Sequence, residues 1–209
     1  MSIEKTINKL IIISSPSGAG KTTICKFLLK KMKNIELSIS YTTRYKRNNE
    51  TDGKDYFFID KNKFFKLKKK NFFIESASIF NYFYGSPYAN INKAFNKNNN
   101  ILFDIDWQGA KKIRKNFDNS QIIDFFILPP NKKELKRRLE KRGTDNKKEI
   151  KVRLSHAYEE ITHHKDYKYV IINDNINSTV NNLINIIQHD TLMTKLNNNV
   201  KNLRMIKQM

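Results

Sequence analysis

The sequence predicts an α/β fold built on a parallel sheet. Three observations carry this prediction. Short apolar runs alternate with stretches of helical pattern, a Gly-rich turn joins the first apolar run to the first helix, and the alternation becomes strict after residue 100. With 209 residues the chain has the size of one domain with lobes. Its 11 % aromatic content argues against a disordered chain.

In order, residues 10–14 (LIIIS) read as a buried strand and residues 21–32 as a helix. Residues 35–40 (IELSIS) form a second strand candidate. The polar stretch 41–53 that follows is too long for an ordinary connection. DYFFID (55–60) and FFIESASIF (72–80) read as strands around a basic helix or loop. Ser86 and Pro87 read as an N-cap and first-turn proline opening a helix toward Asn96. ILFDID (101–106) is a buried strand ending in acids, and residues 109–117 are helical. IIDFFIL (122–128) is a further strand, closed by Pro129 and Pro130. Asn131 caps a helix running to about Arg142, with Gly143 as its stop. Residues 147–163 form another basic helix, 167–174 a last strand, and Ser178 opens a final amphipathic helix. The run 197–209 is expected to be loose or frayed.

Forty Lys and Arg against twenty Asp and Glu give a net charge of +20. A nucleic-acid surface is one reading of that charge. The composition favours another: 32 Lys stand against 8 Arg, with 27 Asn and 27 Ile, the excess that A/T-rich codons produce. A selected phosphate surface would be richer in the bidentate Arg. No nucleic-acid partner is therefore expected. No apolar run reaches the ~18 residues of a membrane span, and the first residues lack a signal peptide's long apolar region. The lone Cys25 excludes an intrachain disulfide framework. A cytoplasmic address is expected. The four His have no metal-site spacing with Cys25, so no zinc site is expected.

Residues 14–22 read SSPSGAGKT. The pattern G-x-x-x-x-G-K-[ST] would place Gly at position 15, where this chain has Ser15. Gly18, Gly20, Lys21 and Thr22 fit, and an apolar strand before and a helix after supply the required context. Such a loop wraps backbone N–H groups around phosphates at a helix N-terminus. Lys21 can reach the β- and γ-phosphates, and the Thr22 hydroxyl can ligate Mg²⁺. The reading to this point is nucleoside-triphosphate binding.

Further strings follow: Ser40-Tyr41-Thr42-Thr43-Arg44, Arg47, Gly53-Lys54-Asp55-Tyr56-Phe57, Phe73-Ile74-Glu75, residues 81–86 (NYFYGS) and residues 104–109 (DIDWQG). With the phosphate loop, they resemble the guanylate kinase family from about residue 10 to about 190. The resemblance implies transfer of the γ-phosphate of ATP to GMP, with Mg²⁺. It also implies a P-loop nucleoside monophosphate kinase fold with a parallel central sheet, an inserted GMP-binding lobe and a helical lid. The expected division is a core of 10–39, 98–130 and 165–190, a GMP lobe of 40–97, a lid of 131–160 and a tail of 191–209.

Under the resemblance, Ser15, Pro16, Ser17, Gly18, Ala19 and Gly20, with Lys21, Thr22 and Thr23, hold ATP. Arg44, Arg47, Tyr56 and Tyr84 hold the GMP phosphate through guanidinium and phenol donors. Glu75 is similar to the family's guanine-reading acid: a carboxylate accepts from N1–H and the 2-amino group together, and adenine offers neither pair. Ser40, Ser86 and Asp106 are similar to further contacts on the guanine side. Asp104 stands where P-loop enzymes keep the acid that orients Mg²⁺ or its waters. At i and i+2 on a strand, Asp104 and Asp106 would point to one side and repel unless a cation or guanine donors lay between them. Taken singly, each Tyr reads as a half-buried strand aromatic and Glu75 as a surface acid.

Arg138 and Arg142, four apart on one helical face, resemble lid arginines that close on the ATP phosphates. Arg153 resembles one reaching the transferring phosphoryl group, and Asn173 and Asp174 resemble the adenine-side loop. The resemblance assigns catalysis to Lys21, Arg44, Arg138 and Arg153. Two alternatives remain at this point. A guanylate-kinase-like interaction module would lack need of Lys21 and Thr22, and a sugar-phosphate kinase would lack need of Glu75 and Ser86.

Overall fold

In the computed structural model, which describes residues 8–141 and 147–206, strand β1 (Leu10–Ser14) is buried at every position. It sits mid-sheet because both its faces are apolar, as parallel strands covered by helices on both sides require. The sheet also contains β2 (Ile35–Leu37), β7 (Asn100–Asp104), β8 (Ile122–Leu128) and β9 (Tyr169–Ile172), in the order β2-β7-β1-β8-β9, all parallel.

The period-2 alternation of β1 divides the core in two. Ile11 and Ile13 face α1 (Lys21–Lys31) and α7 (Ile176–Ile206), in a cluster with Ile24, Leu28, Val180 and Leu183. Leu10 and Ile12 face the other way, toward α3 (Ala89–Asn96) and α4 (Trp107–Asn116), with Ile91, Ala94 and Ile113. Each fully buried Ile or Leu contributes about 1.5–3 kcal/mol. Cys25 lies in the first of these clusters. Chain order reverses on either side of β1, so the carboxyl ends of β1 and β7 border the crevice where open α/β sheets take their ligands.

A second, four-stranded sheet runs β4-β3-β6-β5, from β3 (Tyr41–Thr42), β4 (Phe57–Phe58), β5 (Phe73–Ile79) and β6 (Tyr82–Pro87), with α2 (Lys61–Lys69) packed on it through Phe64. Two further helices, α5 (Lys132–Lys141) and α6 (Lys147–Ile161), pack on each other through Leu135, Leu139 and Ala157.

Several expectations are corrected. Ser86 and Pro87 do not open a helix. Ser86 stands opposite Glu75 in the β5–β6 ladder and spends its hydroxyl there, and α3 starts at Ala89 without a side-chain cap. The strand expected over 55–60 shrinks to Phe57–Phe58, because the Asp60 carboxylate accepts from the Lys63 N–H and starts α2. The strand expected over 35–40 ends at Leu37. Of the run expected to fray, 197–209, the part through Ile206 is helical and 207–209 lie outside the described residues; no Gly or Pro interrupts the sequence after residue 175. Lys9 helps to anchor that helix. Its fully buried ammonium donates to the Ser120 carbonyl, to Asp190 Oδ1 at 2.8 Å and to Thr194 Oγ1 at 2.6 Å. Arg142 and Gly143 lie outside the described residues. Among the described residues, no helix is long and apolar enough to cross a membrane.

Candidate active site

The loop between β1 and α1 is shaped by two glycines. Gly18 and Gly20 have φ of +91° and +98°, which side chains seldom tolerate. Both are also crowded. A Cβ on Gly18 would stand 2.9 Å from Leu139 Cγ, and one on Gly20 would stand 2.7 Å from Asn173 Nδ2. Ser15, by contrast, has no positive φ, is buried, and donates its hydroxyl to the Pro16 carbonyl at 3.0 Å. This explains why Gly is not needed there. Pro16 also accepts the Ala19 N–H at 3.2 Å, closing the turn.

At the start of α1, the Lys21 ammonium pairs with Asp104 Oδ1, and Thr22 Oγ1 donates to Asp104 Oδ2 at 3.2 Å. Burial works to lower the Lys21 pKa, but the attraction of Asp104 outweighs it and the net shift is upward. Thr23 follows on the exposed side and lines the same cleft. Asp104 ends β7. Asp106 has already left the strand and caps α4, accepting the Gly109 N–H at 2.9 Å. The alternation expected to aim both acids to one side therefore stops at Asp104, and the cation beside it is Lys21.

Glu75 is 4 % exposed, at the centre of a small buried polar cluster. Ser86 Oγ donates to Glu75 Oε1 at 2.6 Å, and Ser40 Oγ lies 2.9 Å from Ser86 Oγ. Burial pushes the Glu75 carboxyl up to about 7; nearby Asp106 adds to this, and the Ser86 hydrogen bond opposes it. Burial likewise raises Asp106. A Cβ on Gly109 would stand 2.8 Å from Glu75 Oε2, so α4 can approach β5 this closely only with glycine at that position.

Arg44 is gripped by Glu50, with Nη1 and Nη2 donating to its two carboxylate oxygens at 3.0 and 2.7 Å. Burial works against the Arg44 charge, and Glu50 more than restores it. The guanidinium lies 5.6 Å from the Tyr56 ring centre, and Tyr84 meets that ring edge-on at 6.0 Å. Burial and the Asp104 charge raise the Tyr56 phenol, keeping it a donor. Arg47 lies farther out, its Nη1 3.8 Å from Glu50 Oε1.

Arg138 bridges three elements. It donates to Glu134 Oε1 at 2.8 Å, to the Ala19 carbonyl at 3.3 Å and to the Asn173 carbonyl at 2.9 Å. Buried Asn173 also donates from Nδ2 to the Ala19 carbonyl at 2.8 Å. Arg137 turns outward and forks onto Glu134. Arg153 on α6 faces the cleft, 5.1 Å from the Phe80 ring centre. Glu160, seven residues on along α6, accepts the Ser17 N–H at 3.0 Å.

Most of these groups line one cleft of ≈ 950 Å³, with Ala19 and Ser86 buried behind its wall and Glu50 and Gly109 outside its lining. Every predicted site residue among the described ones lines this cleft except Ala19 and Ser86, which touch it through Arg138 and Glu75. Sequence reasoning missed Glu50, Glu134, Gly109 and Glu160. A signal existed for Glu134, four residues before Arg138 and three before Arg137 on one helix, and for Glu160, at i+7 from Arg153.

Chemically, one end of the cleft offers loop N–H groups, a lysine and arginines to a polyphosphate. The middle offers guanidinium and phenol donors to a monophosphate. The far end offers a buried acceptor to paired ring donors. Thr22 Oγ1 and Asp104 Oδ2 are hard oxygen donors suited to Mg²⁺, which keeps waters and shares substrate phosphates. Among the described residues, no group of three or more acids, His or Cys could hold a metal without such help.

The family model described as guanylate kinase matches residues 7–190. Guanylate kinase of Rickettsia bellii is 45 % identical over 178 residues, covering 85 % of this chain and 92 % of its own. That of Caldanaerobacter subterraneus subsp. tengcongensis is 43 % identical over 187 residues, covering 90 % and 89 %. A crystal structure of guanylate kinase from Anaplasma phagocytophilum is similar with a TM-score of 0.75 at 35 % identity, covering 90 % of this chain and 88 % of that one.

Proposed function

The chain belongs to the guanylate kinase family, and from that membership we propose which of its residues carry the transfer of the γ-phosphate of ATP to GMP. The products are ADP and GDP. The observation that carries the assignment is the buried Glu75, held by the Ser86 hydroxyl, lining the same cleft as the phosphate loop.

ATP lies with its phosphates against the loop from Ser15 to Gly20, where the helix dipole and the N–H groups not taken by Glu160 and the Pro16 carbonyl receive negative charge. Lys21 follows the γ-phosphate as it moves. Arg138, already held at the Ala19 and Asn173 carbonyls, sits between the phosphates and the adenine side. Thr22 and Asp104 would hold Mg²⁺, which when bound supplies charge neutralisation at the phosphate oxygens. GMP lies with its phosphate among Arg44, Arg47, Tyr56 and Tyr84, and Glu50 fixes the plane of Arg44. Its guanine donates N1–H and the 2-amino group toward Glu75, with Ser86, Ser40 and Asp106 around it. A phosphate oxygen of GMP attacks the γ-phosphorus in line as the bond to the ADP oxygen breaks. Arg153 meets the charge on the equatorial oxygens, and no general base is required.

On this reading residues 40–97 are the GMP lobe and 131–160 the lid. A reducing cytoplasm suits the single buried thiol of Cys25.

A coupled ADP-release assay tests the account. Turnover should require GMP, and Lys21→Ala should lose about 10²–10³ in kcat while still binding GMP. Turnover with another monophosphate but not GMP would overturn it.

A further inference from the structure

The β5–β6 hairpin has two working ends. At one, Glu75 stands opposite Ser86. At the other, Phe80 and Asn81 make a two-residue turn with φ of +48° and +64°. Two positive φ values mark the tight hairpin turn that favours Asn and Gly. Asn81 suits it and Phe80 does not, since a bulky residue in left-handed backbone is an outlier that persists only where its surroundings demand it. Burial is not the demand, because Phe80 is 37 % exposed. Instead its ring reaches across to α6. Arg153 lies 5.1 Å from the ring centre, and His156 meets the ring edge-on at 5.0 Å. Phe80 and Arg153 line the same cleft.

We propose that Phe80 is a positioning residue that couples the guanine-reading hairpin to Arg153. The ring packs against the guanidinium beside the cleft, so the place the hairpin tip takes is passed on to Arg153. The ladder runs unbroken from the Glu75–Ser86 pair to the Ile79–Tyr82 pair. Five residues of strand span roughly 17 Å and act as one stiff piece. A guanine held at Glu75 thereby fixes the ring at the tip, and the ring fixes the arginine. Backbone strain at Phe80 is retained because glycine or asparagine there would supply the turn without the π face. The proposal rests on the assignment of Arg153 to the transferring phosphoryl group.

Steady-state kinetics and thermal melts of F80G, F80L, F80Y, R153A and F80G/R153A test it. F80G relieves the turn and should melt no lower than the parent, yet its kcat should fall about tenfold with KM for GMP within twofold. F80Y keeps the ring and should stay within about twofold of the parent kcat, whereas F80L should fall with F80G. F80G/R153A should be no slower than R153A alone, because the ring acts through the arginine. A parent-like kcat in F80G, equal activity of F80L and F80Y, or losses that multiply in the double variant would overturn the coupling. If F80G melts early, the F80Y and F80L pair decides by itself. A parent-like R153A would overturn the Arg153 assignment as well, whereas a slow R153A beside a parent-like F80G removes the coupling alone.

Discussion

Glu160 on α6 accepts a hydrogen bond of 3.0 Å from the backbone N–H of Ser17 in the phosphate loop. One contact thereby ties the helix that carries Arg153 to the loop that leads into Lys21 at the start of α1. Burial raises the Glu160 carboxyl, and the Ser17 N–H opposes that rise.

Glu160→Ala should lower kcat about 10- to 100-fold, the worth of one hydrogen bond to a charged group. KM for GMP should stay within about twofold, since Glu160 lies outside residues 40–97, the proposed GMP lobe. Glu160→Gln keeps an acceptor oxygen and should recover most of the rate. Parent-like kinetics of the alanine variant would remove the tie from the mechanism.

Gly109 leaves no space for a methyl group beside the Glu75 carboxylate. Gly109→Ala should cost about 1–3 kcal/mol of stability by overpacking, and should raise KM for GMP more than KM for ATP. Thermal melts with substrate titrations read both. An equal effect on the two substrates would mean that the glycine serves packing alone.

The sheet and the loop were legible in the sequence because their signals are local. A five-residue apolar run and the SGAGKT string each specify one conformation without help from elsewhere. The proposed acceptor lobe rests on strings at family spacing, since Glu75 alone looks like any surface acid. What the sequence left hidden is what depends on tertiary approach. Ser86 followed by Pro87 carries a helix-start signal, and its pairing with Glu75 across eleven residues overrides it. Lys9 looks like one more surface lysine, and it is buried because Asp190 and Thr194, far along the chain, come to meet it. Glu50 has no motif and acquires its role only when the polar stretch folds it back onto Arg44.

If Glu75 reads the guanine as proposed, its elevated carboxyl should make GMP affinity pH-dependent. With its folded pKa raised from 4.5 to about 7, Glu75 holds its proton more tightly folded than unfolded. The stability it contributes is complete below 4.5 and is lost as pH rises through about 7. Guanine needs the ionised form, so binding works the other way. Affinity for guanosine, which lacks a titrating phosphate, should rise by up to about tenfold per pH unit below pH ~7 and level off above it. Calorimetry across that range reads the slope, Asp106 and Lys112 being the charged neighbours that modulate it. A flat profile would place the Glu75 proton elsewhere.

The most direct test is the base preference of Glu75→Gln, read as kcat/KM for GMP and for AMP. Replacing the carboxylate puts a donor partly against the guanine donors. GMP should lose about 10²-fold or more while AMP changes by less than about threefold. Equal losses for the two nucleotides would contradict the claim that Glu75 reads the base.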